Sequence, residues 1–175
     1  MDAIVEAALR KWPNVPDCYG WLALDARGNW CMRDERTQHA GPFPLVKGSR
    51  IEHDKLRAFI ERNYACNAAG AWFFQNGPQR VYVQLEAAPW VWRIGEGPDW
   101  PLLSHTGRTA QLREVLLDET GRVFLDTDIG LGIVHSLDVG QAAQAVEAGR
   151  WQPVAAVFAE LPARYGYVLN PGPQT

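Results

Sequence analysis

The sequence predicts an α+β fold: tandem ββαββ-like units forming an antiparallel sheet, helices packed on one face, and an added N-terminal helix. Three observations carry this. Short alternating runs come in pairs joined by Asp- and Gly-bearing turns. Apolar residues recur at helical spacing in separate stretches. The order strand, strand, helix, strand, strand occurs twice.

Taken in order, residues 2–12 place Ile4, Val5, Ala8, Leu9 and Trp12 on one helical face, opened by Asp2 and stopped by Pro13. "WLALD" and "WCMRD" read as strands joined by "DARG", with Asp25 and Gly28 at the turn positions that suit them. A Gly- and Pro-rich loop over 38–48 leads to "HDKLRAFIERNY", an amphipathic helix that Asp54 can cap. "AWFF" and "VYVQLE" make a second hairpin around "QNGPQR". "WVWRI" at 90–94 is a further strand, and residues 95–111 form a long polar connection containing Gly and Pro. "VLLDETGRVFLD" is a third hairpin, "DVGQAAQAVEAG" a helix closed by Gly149, and "VAAVFAELPARYGYVLN" a last hairpin.

Residue matches reinforce the repeated order. "FQNGPQRVYVQL" at 74–85 and "FAELPARYGYVL" at 158–169 share Phe, Pro, Arg and Leu at a constant offset of 84 residues. "LDARG" at 24–28 and "LDETG" at 117–121 share Leu, Asp and Gly, and His53 and His135 each stand just before a helix. The reading is a single domain over 1–175 with an internal pseudo-repeat of 20–85 and 113–169. Each unit has too few strands to bury its own faces, so the two are expected to share one core.

Composition bounds the function. Hydrophobic residues make up 47% and charged residues 21%, which suits a packed globular chain, and the net charge of −3 argues against a nucleic-acid surface. The basic runs Arg33–Arg36 and Arg57–Arg62 are interrupted by acids and read as solvated faces. No stretch approaches a membrane span, and "MDAIVEAALRKW" lacks the basic start and long apolar run of a signal peptide. Cys18, Cys31 and Cys66 are odd in number and widely spaced, which disfavours a disulfide framework. The expectation is a cytoplasmic protein.

"KWPNVPDCYGWLALDARGNW", "NGPQRVYVQLEAAPWVWR", "DETGRVFLDTDIGLGIVHSLD" and "FAELPARYGYVLNP" resemble segments of a betaproteobacterial family of small uncharacterised proteins, a domain of unknown function. The resemblance spans nearly the whole chain. It implies a bacterial cytoplasmic protein and carries over no activity, cofactor or catalytic residue.

Residues that can carry chemistry are few. Cys18, Cys31, His39 and His53 include good metal ligands, but none sit at paired zinc spacing, and His105 and His135 add nothing, so neither metal nor other cofactor is expected. Asp126 and Asp128 share a strand face and precede His135, raw material for general acid–base work in a small hydrolase. The plainer reading is a hairpin edge and a glycine loop, since Gly130 and Gly132 lack phosphate-loop spacing. No nucleophile motif surrounds Ser49, Ser104 or Ser136. Arg80 and Arg164, matched between the repeats, can converge on an anion or acidic partner; the favoured alternative is local, each pairing with the Asp of its own unit, Asp25 or Asp118, or with turn carbonyls. Trp90 and Trp92 alternate with Val91 and Arg93, so they share one environment. They are a binding platform, the core, or a homodimer contact at a strand that Pro89 marks as an edge, and burial is the favoured reading. The function expected is a non-enzymatic binding or protein-interaction module, with the His135 hydrolase as the alternative.

Overall fold

The computed structural model describes residues 1–173. Its elements are those of an α+β protein, and its N-terminal helix is the one expected. The chain falls into two compact units: 1–25, 29–86 and the stretch from Tyr167 form unit one, and 26–28 with 87–166 form unit two.

Unit one begins with α1 (Ala3–Lys11), which buries Val5 and is tied down at Asp2. The Asp2 N–H donates to Asn63 Oδ1 at 2.8 Å, and its carboxylate accepts from Arg62 Nε at 3.1 Å. β1 (Cys18–Leu24) and β2 (Trp30–Met32) form the expected hairpin, with Asp25 Oδ1 accepting the Asn29 N–H at 2.9 Å. The short helix α2 (Glu35–Ala40) starts where Asp34 Oδ1 accepts the Thr37 N–H at 2.8 Å. β3 (Ser49–Arg50) precedes α3 (Asp54–Arg62), whose cap is His53 rather than Asp54: His53 Nδ1 accepts the Leu56 N–H at 3.3 Å. β4 (Tyr64–Cys66), β5 (Trp72–Asn76) and β6 (Gln79–Leu85) complete a sheet of order β3-β2-β1-β6-β5-β4. α3 packs on one face of it, Phe59 meeting Phe74 edge-on at 5.4 Å.

Unit two carries β7 (Trp90–Ile94), β8 (Leu102–Ser104), β9 (Thr109–Ala110), β10 (Leu112–Leu117), β11 (Val123–Thr127), β12 (Gly130–Val134), α4 (Val139–Glu147), β13 (Val154–Ala155) and α5 (Leu161–Tyr165). Its sheet runs β13-β10-β11-β12-β7-β8-β9.

Pairing differs from the sequence expectation in defined ways. Both sheets are mixed rather than antiparallel: β1 pairs parallel with β6, β10 with β13 and β12 with β7. β7 is interior rather than an edge, because β8, formed by residues expected as connection, covers its other side. The strand-bound Trp90 and Trp92 are 1% and 0% exposed, so both indoles are buried within the chain itself. "GLGIV" is a strand, not a glycine loop, and its bare backbone receives the indoles: Gly132 pairs with Trp90, and Trp90 Nε1 donates to Ile129 O at 2.8 Å.

The two repeat segments share local details. Asp118 Oδ1 accepts the Arg122 N–H at 2.8 Å, as Asp25 does from Asn29, and His135 Nδ1 accepts the Leu137 N–H at 3.1 Å, as His53 does from Leu56. The 84-residue offset, by contrast, aligns the β5–β6 hairpin with a 3₁₀ turn and α5. Pro162 in the first turn and Gly166 at φ 67° after the last set a helix there, against the alternation of Tyr and Val that suggests a strand. No helix among the described residues is long and apolar enough to cross a membrane.

A Cβ at Gly132 would stand 2.3 Å from Trp92 Nε1 and 2.8 Å from Trp90 Cβ. We expect Gly132→Ala to lower unfolding free energy by at least about 1–3 kcal/mol through overpacking, and Trp90→Ala to cost about 3–5 kcal/mol. Denaturant melts check both; a wild-type midpoint for Gly132→Ala contradicts the packing.

Candidate binding cleft

The long connection after β7 builds one wall of a cleft within unit two. Gly95 N–H donates to Pro101 O at 2.8 Å and Trp100 N–H to Gly97 O at 3.3 Å, closing a tight loop. Trp100 sits at φ 41°, a left-handed conformation that a bulky residue adopts only when its surroundings hold it there. β8 turns into β9 at Ser104, whose Oγ accepts the Arg108 N–H at 3.0 Å. Asp128 then fixes the strand that follows, its Oδ1 accepting the Gln111 N–H at 2.7 Å.

The opposite wall is the end of α4. The helix closes with Gly149 at φ 71°, and the N–H groups of Arg150 and Trp151 both return to Ala145 O, at 3.0 and 3.2 Å. This sets Arg150 outward and buries most of Trp151. The cleft between these walls has a volume of about 530 Å3. Trp100, Trp151, Leu102 and Leu112 supply apolar surface, and Thr109 and Gln111 supply neutral polar groups. Arg150 Nη2 lies 3.9 Å from Asp99 Oδ1 with both side chains mostly in water. Such a pair contributes little and yields readily to a competing charge. Among the described residues lining the cleft there is no His, Cys or Ser. Its mixed apolar and polar lining can hold an amphipathic molecule.

The residues singled out from sequence lie elsewhere. Asp126 is opposite Leu131, and His135 stands four residues further along that line, about 13 Å away at strand rise. Asp128 is spent on Gln111. The carboxylate that His135 does influence is Asp138, in the turn before α4. Asp138 takes a forked bond from Arg93, 2.5 Å to Nε and 3.2 Å to Nη2, and the Ile94 N–H at 3.0 Å. The Arg93 guanidinium, outweighing burial, holds that carboxyl below its usual range. This is an anchor between helix and sheet, and it leaves the expected His135 pairing with Asp126 or Asp128 unformed.

Arg80 and Arg164 belong to different units, and neither pairs with Asp25 or Asp118. Arg80 lies over the Phe73 ring at 4.7 Å. Arg164 Nη2 bonds both Glu114 oxygens, at 3.1 and 3.0 Å, where Tyr165 also donates at 2.6 Å. Asp118 instead takes Arg122 at 2.7 Å, and Asp25 has Lys47 at 3.8 Å. Glu114 is the cross-strand neighbour of Asp126, whose carboxyl is pushed up by burial and by that second acid, against the pull of Arg113 and Arg164. Trp90 and Trp92 are core, stacked with centroids 6.2 Å apart, and offer no platform. Among the described residues no three His, Cys, Asp or Glu side chains gather as a metal site.

The cleft is not legible in the sequence. Trp100 and Trp151 are distant in the chain, and the one available signal was the length and Gly/Pro content of 95–111.

A family described as "Protein of unknown function (DUF2946)", DUF2944, matches residues 1–172. No curated protein matches the chain. Among solved structures, it is similar to a DUF1285 family protein from Silicibacter pomeroyi DSS-3, with TM-score 0.50 and 10% identity, covering 82% of this chain and 84% of that one. A DUF1285 family protein from Shewanella baltica OS155 gives TM-score 0.48 at 15% identity, covering 71% and 91%. At 10% identity the first likeness is one of fold alone.

One histidine has a measurable consequence. His105 Nδ1 accepts the Val91 N–H at 3.2 Å, and burial lowers its pKa to about 3. The folded state therefore favours the neutral ring. Its contribution is intact above the unfolded pKa near 6.5 and is lost as pH falls from there toward 3, because the unfolded chain takes up the proton first. We expect unfolding free energy to drop between these values with a slope approaching about 1.4 kcal/mol per pH unit, and His105→Gln to flatten it. Equal slopes in both proteins contradict the assignment.

Proposed function

We propose, for a chain that belongs to the family described as "Protein of unknown function (DUF2946)", that its role is binding rather than catalysis, and that unit two's cleft takes an amphipathic ligand bearing an acidic end. The observation that carries this is the cleft itself: Trp100 and Trp151 both line it, together with the exposed Arg150. The indoles supply large rigid surfaces at little conformational cost. The Arg150 guanidinium can exchange its loose contact with Asp99 for a carboxylate fork, a stronger geometry. The strained Trp100 backbone fits a residue held ready for a ligand. Among the described residues lining the cleft, the one carboxylate, Asp99, is 86% exposed beside Arg150, and there is no His, Cys or Ser to work with it. In keeping with its three scattered cysteines, we read the chain as a bacterial cytoplasmic protein.

The test is a titration with 4-phenylbutyrate, followed through the indole ¹H–¹⁵N signals. We expect saturable shifts confined to Trp100 and Trp151, abolished in Trp100→Ala. Arg150→Gln should weaken binding by roughly tenfold, the loss of one charge-assisted contact. Shifts spread over all eight indoles, or binding untouched by Arg150→Gln, overturn the reading.

A further inference from the structure

Unit one carries a row of rings on the sheet face opposite α3. Phe73 and Phe74 alternate along β5, so Phe74 meets the helix and Phe73 faces away from it. Phe73 meets Tyr82 of β6 at a steep angle with centroids 5.8 Å apart. Tyr82 in turn lies flat against Tyr19 of β1, centroids 4.7 Å apart and planes within 2°. Three adjacent strands thus each give one ring to a single row. One end of the row already carries a cation, the Arg80 guanidinium over Phe73 at 4.7 Å.

Two of the rings, Tyr19 and Tyr82, line a cleft of about 400 Å3, a volume within the range of small-ligand sites. Its polar wall is made of Asp17, Tyr19, Asn67 and Tyr82. Asn67 is committed: its Oδ1 accepts the Ala69 and Ala71 N–H groups at 3.0 and 2.9 Å, and its Nδ2 donates to the Tyr82 hydroxyl at 3.3 Å. Burial, together with the Asp17 charge and the Tyr82 hydroxyl, pushes the Tyr19 phenol up, so it stays protonated. Asp17 is exposed, and it is the one charged residue among the described residues lining the opening. Ala69, Ala71, Val168 and Pro171 complete the wall with apolar groups.

We propose that this opening binds an organic cation of the alkylated ammonium class, held between the Tyr19 ring and the Asp17 carboxylate. The electron-rich ring attracts a cation, most strongly where water is displaced. The carboxylate supplies the opposing charge, and the alanine, valine and proline surfaces accommodate N-alkyl groups that a bare ammonium lacks. An anion would meet Asp17 with no lining cation to offset it. A neutral molecule of the same shape would gain the apolar contacts but neither the ring nor the carboxylate attraction. Arg80 at the far end shows the same row taking a guanidinium from the chain itself.

The discriminating pair of probes is choline and 3,3-dimethylbutan-1-ol, which have the same shape with nitrogen replaced by carbon. Each is titrated into ¹⁵N-labelled full-length protein. Choline is expected to give saturable amide shifts at Ala69, Ala71 and Val168, and the neutral isostere to bind at least roughly tenfold more weakly. Asp17→Asn, an exposed and isosteric change, should lose roughly tenfold for choline and nothing for the alcohol, with its spectrum otherwise unchanged. Equal binding of the two probes, choline binding unaffected by Asp17→Asn, or choline shifts located elsewhere each overturn the proposal.

Discussion

Unit two depends on the seating of two indoles against glycine backbone. Trp90 and Trp92 are too large to stand beside an ordinary strand, and β12 offers them Gly130 and Gly132 instead. That allows β7 to pair in parallel with β12 and places it inside the sheet. With one side of β7 so occupied, β8 and β9 extend the other side, and the loop from Gly95 to Pro101 is pinned between β7 and β8. The position of Trp100 follows from that loop. The wall of the cleft is thus a consequence of a packing contact in which none of its own residues take part.

Polar side chains in this protein serve mainly to fasten elements. The Arg93–Asp138 fork joins β7 to the turn before α4, while Glu114 gathers Arg164 and Tyr165 from α5 onto β10. In unit one, Arg33 is 3% exposed and donates to Val46 O at 3.2 Å, Gln84 Oε1 at 2.9 Å and Gly41 O at 2.6 Å, fixing the loop after α2 with neutral acceptors. Asp118 is another such point. Burial alone would raise its carboxyl, yet bonds from Arg122 and Thr120 hold it below its usual range. These titratable groups are committed to the frame. In the two clefts, by contrast, charges face water beside apolar surface: Arg150 and Asp99 in one, Asp17 in the other.

Legibility in the sequence follows this division. The three longer helices and the turns at Asp25, Asp118 and Gly121 rest on local signals: apolar spacing, caps and positive-φ glycines. They are readable one segment at a time. Parallel partners are not, because nothing in "WVWRI" names "GLGIV" as its neighbour until both are folded; the spacing of Trp90 and Trp92 indicated only a shared face. Gly130 and Gly132 point to a loop in the sequence, whereas in β12 they are strand residues whose bare backbone leaves room for the indoles. At α5 the alternation of Tyr and Val suggests a strand, but Pro162 and Gly166 set a helix. The cleft escaped for the same reason as the parallel pairs: its two tryptophans come from distant segments.

Native-state hydrogen exchange tests the central claim most directly, since it separates the indole-held frame from the cleft wall built upon it. The His135 N–H, bonded to Trp92 O at 2.9 Å, and the amides of β7 and β12 should exchange only through global unfolding. The Gly95 and Trp100 amides of the cleft loop should open at lower free energy without disturbing that frame. Exchange of β7 and β12 amides as fast as that of the loop, or before the remainder of the sheet, would contradict the account.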